Sequence, residues 1–309
     1  MKTRRASIDI GSNSILLLIG DVTNGVITEI LKKSEVTSLG KNLDKDKVFI
    51  ESSMEATLEV LKIYAKDCTS LGIDLKEVIV TATEASRVAT NAKDFFQKVK
   101  DQSGLEVQII NSRAEAYFST KGILYQTEFT EPEVTIMDIG GASTELIRVE
   151  PLSSQILQSI SMPVGSVRST QWLADQSFVQ QLSGLFNLHS KELDQFMSPR
   201  LYCVAGTVTS LGNMHLKNKE FHENEVHGLT MTKSAIEDLF KLYSAASPED
   251  LLKEFPFLGK RAASIVGGLH LTYHILHRLG VKEIVVSTYG LRYGTLLEGK
   301  IEKDYLHGA

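Results

Sequence analysis

Two α/β domains built on one plan are what this sequence predicts, and three observations predict them. Ser7–Leu18 reads SIDIGSNSILLL and Ile136–Glu145 reads IMDIGGASTE, so an apolar run ending in Asp-Ile-Gly, a small polar loop and a second apolar run occur twice. After each copy, strand-like runs alternate with helical periodicity, which is the pattern of a sheet covered by helices. Between the copies, Tyr125–Glu133 (YQTEFTEPE) is polar, contains Pro132 and has neither period, so the domain boundary is expected there, giving domains 1–125 and 126–309.

The first half begins with a buried strand, Ala6–Ile10, its hairpin partner Ile15–Asp21 across the GSNS turn, and a third strand within Val26–Leu39. Met54, Leu58, Leu61 and Tyr64–Ala65 recur at helical spacing, which predicts one helix over Val48–Leu71, stopped by Gly72. A strand at Glu77–Ala82, the segment TEASR, a helix at Ala92–Ser103 stopped by Gly104, a strand at Glu106–Ile110 and a helix at Ser112–Leu124 complete it. The second half restarts with strands at Val134–Ile139, Glu145–Val149 and Gln155–Met162. Helices are expected in Val167–Ala174, Phe178–Leu188 and Ser190–Phe196, then a strand at Leu201–Ala205 that turns at Gly206–Thr207 into a helix through His215. Lys217–Glu225 reads as a charged surface loop. Helices near Lys233–Ser244 and Lys260–Leu279, a strand at Glu283–Ser287 and a final helix from Gly290 end the chain; that last helix can pack back on the first domain.

The 309 residues are 42% hydrophobic and 23% charged, enough for two cores of ordinary globular composition. A net charge of −5 argues against coating duplex DNA through a broad basic face. Cys68 and Cys203 are far apart and outside metal-ligand spacing, as for buried thiols in a reducing compartment. Lys2, Arg4 and Arg5 precede an apolar run, but Asp9, Ser12 and Asn13 interrupt it, so it is not a signal peptide, and no window reaches the ~20 apolar residues of a membrane span. A cytoplasmic protein is expected, with no membrane partner.

Ligands of open α/β sheets lie beyond the carboxyl ends of strands, where both glycine loops fall, so the two halves are expected to share one cleft. Gly11, Gly140 and Gly141 allow backbone amides to approach phosphate oxygens, and Ser12, Asn13, Ser14, Ser143 and Thr144 add neutral donors. Asp9 and Asp138 would repel phosphate and make sense holding Mg²⁺ or another divalent cation against it. His270, His274 and His277 share one helix face at zinc-like spacing, but no carboxylate or cysteine completes a set nearby, and they read as structural. His215, His222 and His227 border the charged loop and read as exposed.

The chain resembles the exopolyphosphatase and guanosine pentaphosphate phosphohydrolase family, within the actin, sugar-kinase and heat-shock-ATPase superfamily. The resemblance is carried, in order, by DIGSNS at Asp9–Ser14, ATEASRVATN from Ala82, IINSRAEAY at Ile109–Tyr117, DIGGASTE at Asp138–Glu145, PVGSVR at Pro163–Arg168, AGTVTSL at Ala205–Leu211, KRAASIVGG at Lys260–Gly268 and VSTYGLRYG at Val286–Gly294. Each motif is short; their order and spacing are specific. The resemblance implies two ribonuclease H-like (actin-like ATPase) α/β domains flanking a cleft. It implies Glu115 as catalytic base, Glu145 beside Asp138 near metal and water, Arg87 on phosphate, and Gly206, Thr207 and Thr209 as a second phosphate loop, with Arg261 and Arg292 as weaker anion contacts.

The spacing of Ser112 and Glu115 has a second reading, an S-x-x-E capping box in which Glu115 would only satisfy a helix end. Glu145 could likewise be an outward-facing residue at a strand start, Arg87 a surface ion pair, and Arg261 and Arg292 ordinary helix-surface charges. Ala142 stands where the family carries a third glycine, and its methyl group would crowd the loop; Leu16 replaces an often basic residue, and Arg113-Ala114 an often acidic pair. The activity implied is hydrolysis of the terminal phosphate of inorganic polyphosphate or of guanosine pentaphosphate, the stringent-response nucleotide pppGpp. Two alternatives remain at this point: a kinase of the same superfamily, or a non-catalytic sensor of alarmone or polyphosphate. A homodimer is left open.

Overall fold

The computed structural model describes residues 2–308. The chain forms two compact units, one of Met1–Tyr125 with Leu291–Ala309 and one of Gln126–Gly290. In the first, β1 (Thr3–Ile10), β2 (Ser14–Thr23), β3 (Val26–Val36), β4 (Ile79–Ala82) and β5 (Val107–Ile109) form one sheet in the order β3-β2-β1-β4-β5. The three hairpin strands are antiparallel, whereas β4 and β5 join parallel to β1. That order and those directions are the ribonuclease H-like arrangement. Two-residue and longer turns suffice for the antiparallel pairs, but a parallel neighbour needs a crossover. Helix α2 (Glu51–Ser70), preceded by the short α1 (Leu43–Asp46), supplies the first one. Its Leu58, Leu61, Tyr64 and Ala65 pack on Ile8, Ile10, Ile15 and Leu17. Helices α3 (Glu84–Val88), α4 (Ala92–Ser103) and α5 (Ser112–Leu124) follow.

The second unit repeats the plan. Its strands β6 (Val134–Ile139), β7 (Thr144–Glu150), β8 (Gln155–Met162), β9 (Arg200–Val204), β10 (Thr230–Thr232) and β11 (Glu283–Val286) run in the order β10-β11-β9-β6-β7-β8. Read from β8, this is the order of the first sheet with β10 added antiparallel at the far edge. Helices α6 (Ser166–Ala174), α7 (Phe178–Leu188), α8 (Ser190–Asp194), α9 (Gly206–His215), α10 (Glu223–Val226), α11 (Lys233–Tyr243), α12 (Pro248–Glu254) and α13 (Ala262–Arg278) cover it. Apolar α13 is central: Ile265, Leu269 and Ile275 lie in one core with Met137, Leu146 and Val208.

The last helix, α14 (Leu291–Glu298), follows the second unit in the chain but packs on α5, β1 and β2 of the first. It covers the face of the first sheet opposite α2, which is why successive residues Leu17 and Leu18 are both fully buried. Arg5 donates to the carbonyls of Leu296 and Leu297, and Ser7 Oγ meets Thr295 Oγ1 at 2.6 Å. Among the described residues no helix is long and apolar enough to cross a membrane.

Several elements differ from expectation for local reasons. The TEASR segment is a helix, α3, too short for periodicity to show. The long helix starts at Glu51 because Ile50 is extended, with Phe49 N–H held by Asn91 Oδ1 at 2.8 Å. Pro256–Arg261 is a tight 3₁₀ segment kinked at Gly259, which delays α13 to Ala262. The charged loop after α9 ends in α10 and is pinned by buried Asn213, which donates to Glu220 O and accepts from His222 N.

Candidate active site

In the first unit the turn after Asp9 is closed by Gly11 N–H donating to Ser14 O at 3.0 Å. The loop carbonyls are covered by the chain leaving β3. Gly40 N–H donates to Ser12 O at 2.7 Å, and Thr37 and Ser38 N–H donate to Asn13 O at 3.1 and 2.9 Å. In a trans peptide the C=O and the following N–H point oppositely. Tying down the carbonyls of Ser12 and Asn13 therefore aims the amides of Asn13 and Ser14 away from that cover.

The second unit builds the same device separately. Gly140 N–H donates to Ser143 O at 3.0 Å. Here the first turn of α6 is the cover: Ser166 N–H donates to Gly140 O at 2.9 Å, Val167 N–H to Gly141 O at 2.8 Å, and the Arg168 guanidinium to Ala142 O at 2.9 Å. The helix thereby satisfies its own unpaired N-terminal donors, and the amides of Gly141, Ala142 and Ser143 are turned to the opposite side. The fit is tight, because a Cβ on Gly165 would stand 2.5 Å from the Gly141 carbonyl carbon. Ala142 departs from the expected crowding. It is not among the positive-φ residues, and its methyl is buried, so the loop holds it without backbone strain.

Asp138 and Glu145 are cross-strand partners in β6 and β7, and Glu145 is paired in turn with Ser161 of β8. Directly opposed residues share a face. Glu145 is 2% exposed, which corrects the outward-facing alternative, and Ser161 Oγ donates to its Oε1 at 2.7 Å. Among the described residues no cluster of three or more His, Cys, Asp or Glu could hold a metal ion. Two carboxylates nevertheless fit Mg²⁺, which takes one or two carboxylates and keeps its other positions for water and phosphate oxygens. Asp9 lies in the first unit, at the end of β1.

Glu115 sits in the first turn of α5, and the capping-box alternative fails there. The N-cap is Asn111, whose Oδ1 accepts from Ala114 N–H at 2.9 Å. The Glu115 carboxylate instead accepts from Arg87 Nη2 at 2.9 Å. Arg87 also donates from Nε and Nη2 to Glu84 Oε2, at 3.1 and 2.8 Å, and from Nη1 to Ile110 O at 2.8 Å. Burial works against the Arg87 charge, but the carboxylates of Glu115 and Glu84 outweigh it and hold its guanidinium above the ordinary value. Rather than a surface ion pair, this is a buried one: the side chains of Arg87 and Glu115 are 9% and 10% exposed. The sequence reading missed Glu84 and Ser161. Only the i, i+3 spacing of Glu84 and Arg87 on a short helix could have drawn attention to the former.

At the start of α9, Ala205 has φ +79° and ψ 170°, a conformation favouring glycine, and Gly206 opens the helix. Thr207 is buried, and Thr209 Oγ1 donates to Ala205 O at 3.2 Å. The Arg261 guanidinium packs directly against Gly206, and burial lowers its pKa to about 10. Arg292 is placed differently from expectation: it is buried in the first unit and donates to the backbone carbonyls of Lys33 and Leu17 at 3.2 and 3.4 Å. His270 pairs with Ser244 O at 3.0 Å and His277 with Glu237 at 3.3 Å, so the histidine stripe is structural. His227, expected on the surface, is half-buried; its Nδ1 accepts from Thr288 N–H at 3.2 Å, and its ring lies 4.1 Å from that of Tyr289.

Residues 18–301 match the family described as the Ppx/GppA phosphatase family. A bifunctional 3-dehydroquinate synthase/phosphatase of Fusobacterium nucleatum is 32% identical over 96% of this chain and 46% of its own length. A guanosine-5'-triphosphate,3'-diphosphate pyrophosphatase of Vibrio cholerae is 28% identical over 95% of this chain and 58% of its own. The chain thus spans about half the length of these curated relatives. Among solved structures, an Aquifex aeolicus member of the same family superposes with a TM-score of 0.76 at 29% identity, covering 96% of this chain and 97% of that one. An exopolyphosphatase from Cytophaga hutchinsonii shares the fold, with a TM-score of 0.86 at 23% identity, covering 97% of this chain and 99% of that one.

Proposed function

The chain belongs to the Ppx/GppA phosphatase family, and on that premise we propose that it hydrolyses the terminal phosphoanhydride bond of a linear polyphosphate or of guanosine pentaphosphate. The observation that carries this reading is the state of Glu115: a buried carboxylate, not needed by the helix cap, held in place by Arg87. A carboxylate so held can take a proton from water. The water oxygen forms a bond to the terminal phosphorus, its proton goes to Glu115, and the bridging P–O bond breaks with its electron pair leaving on the shortened chain.

The amides of the two glycine loops are the donors for the phosphate oxygens, Asn13 and Ser14 in one unit and Gly141, Ala142 and Ser143 in the other. Ser12, Gly11, Gly140 and Thr144 shape those loops, and Gly206 with Thr207 forms a further phosphate contact. Asp138 and Glu145 would hold Mg²⁺ or another divalent cation, which when bound supplies neutralisation of the charge that builds on the phosphoryl oxygens; Asp9 is the corresponding acid of the first unit. Polyphosphate is the preferred substrate in this reading, since no sequence motif plainly reads a guanine base. Cys68 and Cys203 are buried, and burial raises the Cys68 thiol to about 12, as suits a reducing, cytoplasmic setting where neither needs to react.

The test is orthophosphate release from polyphosphate and from guanosine pentaphosphate with Mg²⁺ and no acceptor, which a kinase or a non-catalytic sensor would not give. Glu115→Gln should lower turnover by about 10²–10⁴ with little change in melting temperature. Wild-type turnover in that variant would remove Glu115 as base.

A further inference from the structure

Arg87 is a positive partner of the Glu115 carboxylate, and it is shared. Its Nη2 is divided between Glu115 Oε2 at 2.9 Å and Glu84 Oε2 at 2.8 Å, and Nε closes a second bond to that same Glu84 oxygen. Ile110 O takes Nη1, so the guanidinium is fixed from three sides. The side chain of Glu84 is 20% exposed, and Glu84 and Arg87 lie one turn apart on α3, the short helix that leaves the carboxyl end of β4. Among other charged groups near α5, Glu298 of α14 is engaged by Lys121 and Tyr117, and Arg113 is exposed with its guanidinium 6.0 Å from the Tyr305 ring centre.

A base has to accept a proton. If Glu115 were the sole partner of a buried guanidinium, each protonation would leave that positive charge uncompensated, and the ion pair would oppose the reaction it is meant to assist. A second carboxylate on the same guanidinium removes the conflict. We infer that Glu84 is a positioning residue: it keeps Arg87 fixed and charge-compensated while Glu115 takes up the proton of the attacking water. The inference rests on the reading of Glu115 as base.

The experiment uses the full chain with Mg²⁺ and polyphosphate and follows phosphate release against pH. Glu84→Gln keeps the shape and an acceptor oxygen but removes the charge. It should lower kcat about tenfold or more with KM within twofold, and move the acid limb of the profile to lower pH, because Glu115 beside an unshared guanidinium gives up its proton more readily. Glu84→Asp should recover part of the loss. In an Arg87→Gln background, adding Glu84→Gln should leave the acid limb where Arg87→Gln alone puts it; an equal further shift there would overturn the inference. So would a wild-type kcat and an unmoved limb in Glu84→Gln itself. Loss of turnover in Glu115→Gln together with wild-type Glu84→Gln removes the role of Glu84 alone. Retained turnover in Glu115→Gln removes the base and this role with it.

Discussion

The side chain of Asn111 accepts the Ala114 N–H at 2.9 Å, and that one bond decides that Glu115 is not a helix cap. Asn111 also donates from Nδ2 to Asp304 O at 2.9 Å, so one residue caps the start of the helix and ties down the segment after α14. Asn111→Ala should cost about 1 kcal/mol for the cap and more for the tie, whereas Asn111→Asp, which keeps the acceptor and loses the donor, should cost less. Urea unfolding of both variants checks this; an Asn111→Ala loss close to zero would take the capping role away from Asn111.

Gly165 carries the join between α6 and the second glycine loop. Its backbone is extended, so alanine there meets no torsional strain, only the Gly141 and Gly140 backbone at 2.5–2.6 Å. Because backbone cannot swing aside as a side chain does, Gly165→Ala should cost roughly 1–3 kcal/mol and displace the loop amides. Phosphate release should fall at least tenfold, with KM raised. Unchanged KM would show that these amides do not meet the substrate.

Ala205 is held at φ +79°, where a methyl group is strained by about 1–3 kcal/mol. Ala205→Gly removes the strain and gives back about 0.4–1 kcal/mol through the freer unfolded chain. A net gain of up to about 2 kcal/mol is expected, read as a rise of a few degrees in melting temperature. A fall would mean that the methyl group packs to more advantage than its backbone costs.

His274 gives a pH dependence with a definite sign. Burial first, and then the neighbouring His270 and His277, lower its pKa, so the folded protein takes up this proton less readily than the unfolded chain. Its contribution is therefore constant above the ordinary histidine value of about 6.5 and declines as the pH falls through it. Urea midpoints of the wild type should drop between pH 7.5 and 5.5, and His274→Gln should flatten that slope. An equal slope in both would assign the effect to other groups.

Much of this was legible in the chain. α5 falls on Ser112–Leu124, β6 on Val134–Ile139 and α7 on Phe178–Leu188 as periodicity and turn chemistry foretell. What escaped was short or distant. Three-residue β10 and five-residue α3 carry too few residues for either period to register. Asn111, one place before Ser112, took the cap, a choice that depends on backbone angles rather than composition. The partners of Arg87 lie as far as 28 residues away, and no local pattern encodes which carboxylate a guanidinium will find. The same holds for Arg292, whose motif suggested an anion but whose Nη1 donates to the backbone of β2 and β3.

Because Leu291–Ala309 completes the first unit, the helix bearing Glu115 is finished by residues synthesised after the whole second unit. Asn111 N–H waits for Tyr305 O, and the ring of Tyr117 for that of Tyr305. During translation the intervening 165 residues of Gln126–Gly290 emerge first, at about 5–20 residues per second. A nascent chain therefore carries Glu84, Arg87 and Glu115 for some seconds before α5 is enclosed. The interval acts as a timer: Glu115 acquires the surroundings that Leu291–Ala309 supplies only after the second unit has emerged, and a chain cut short before Leu291 is left without them.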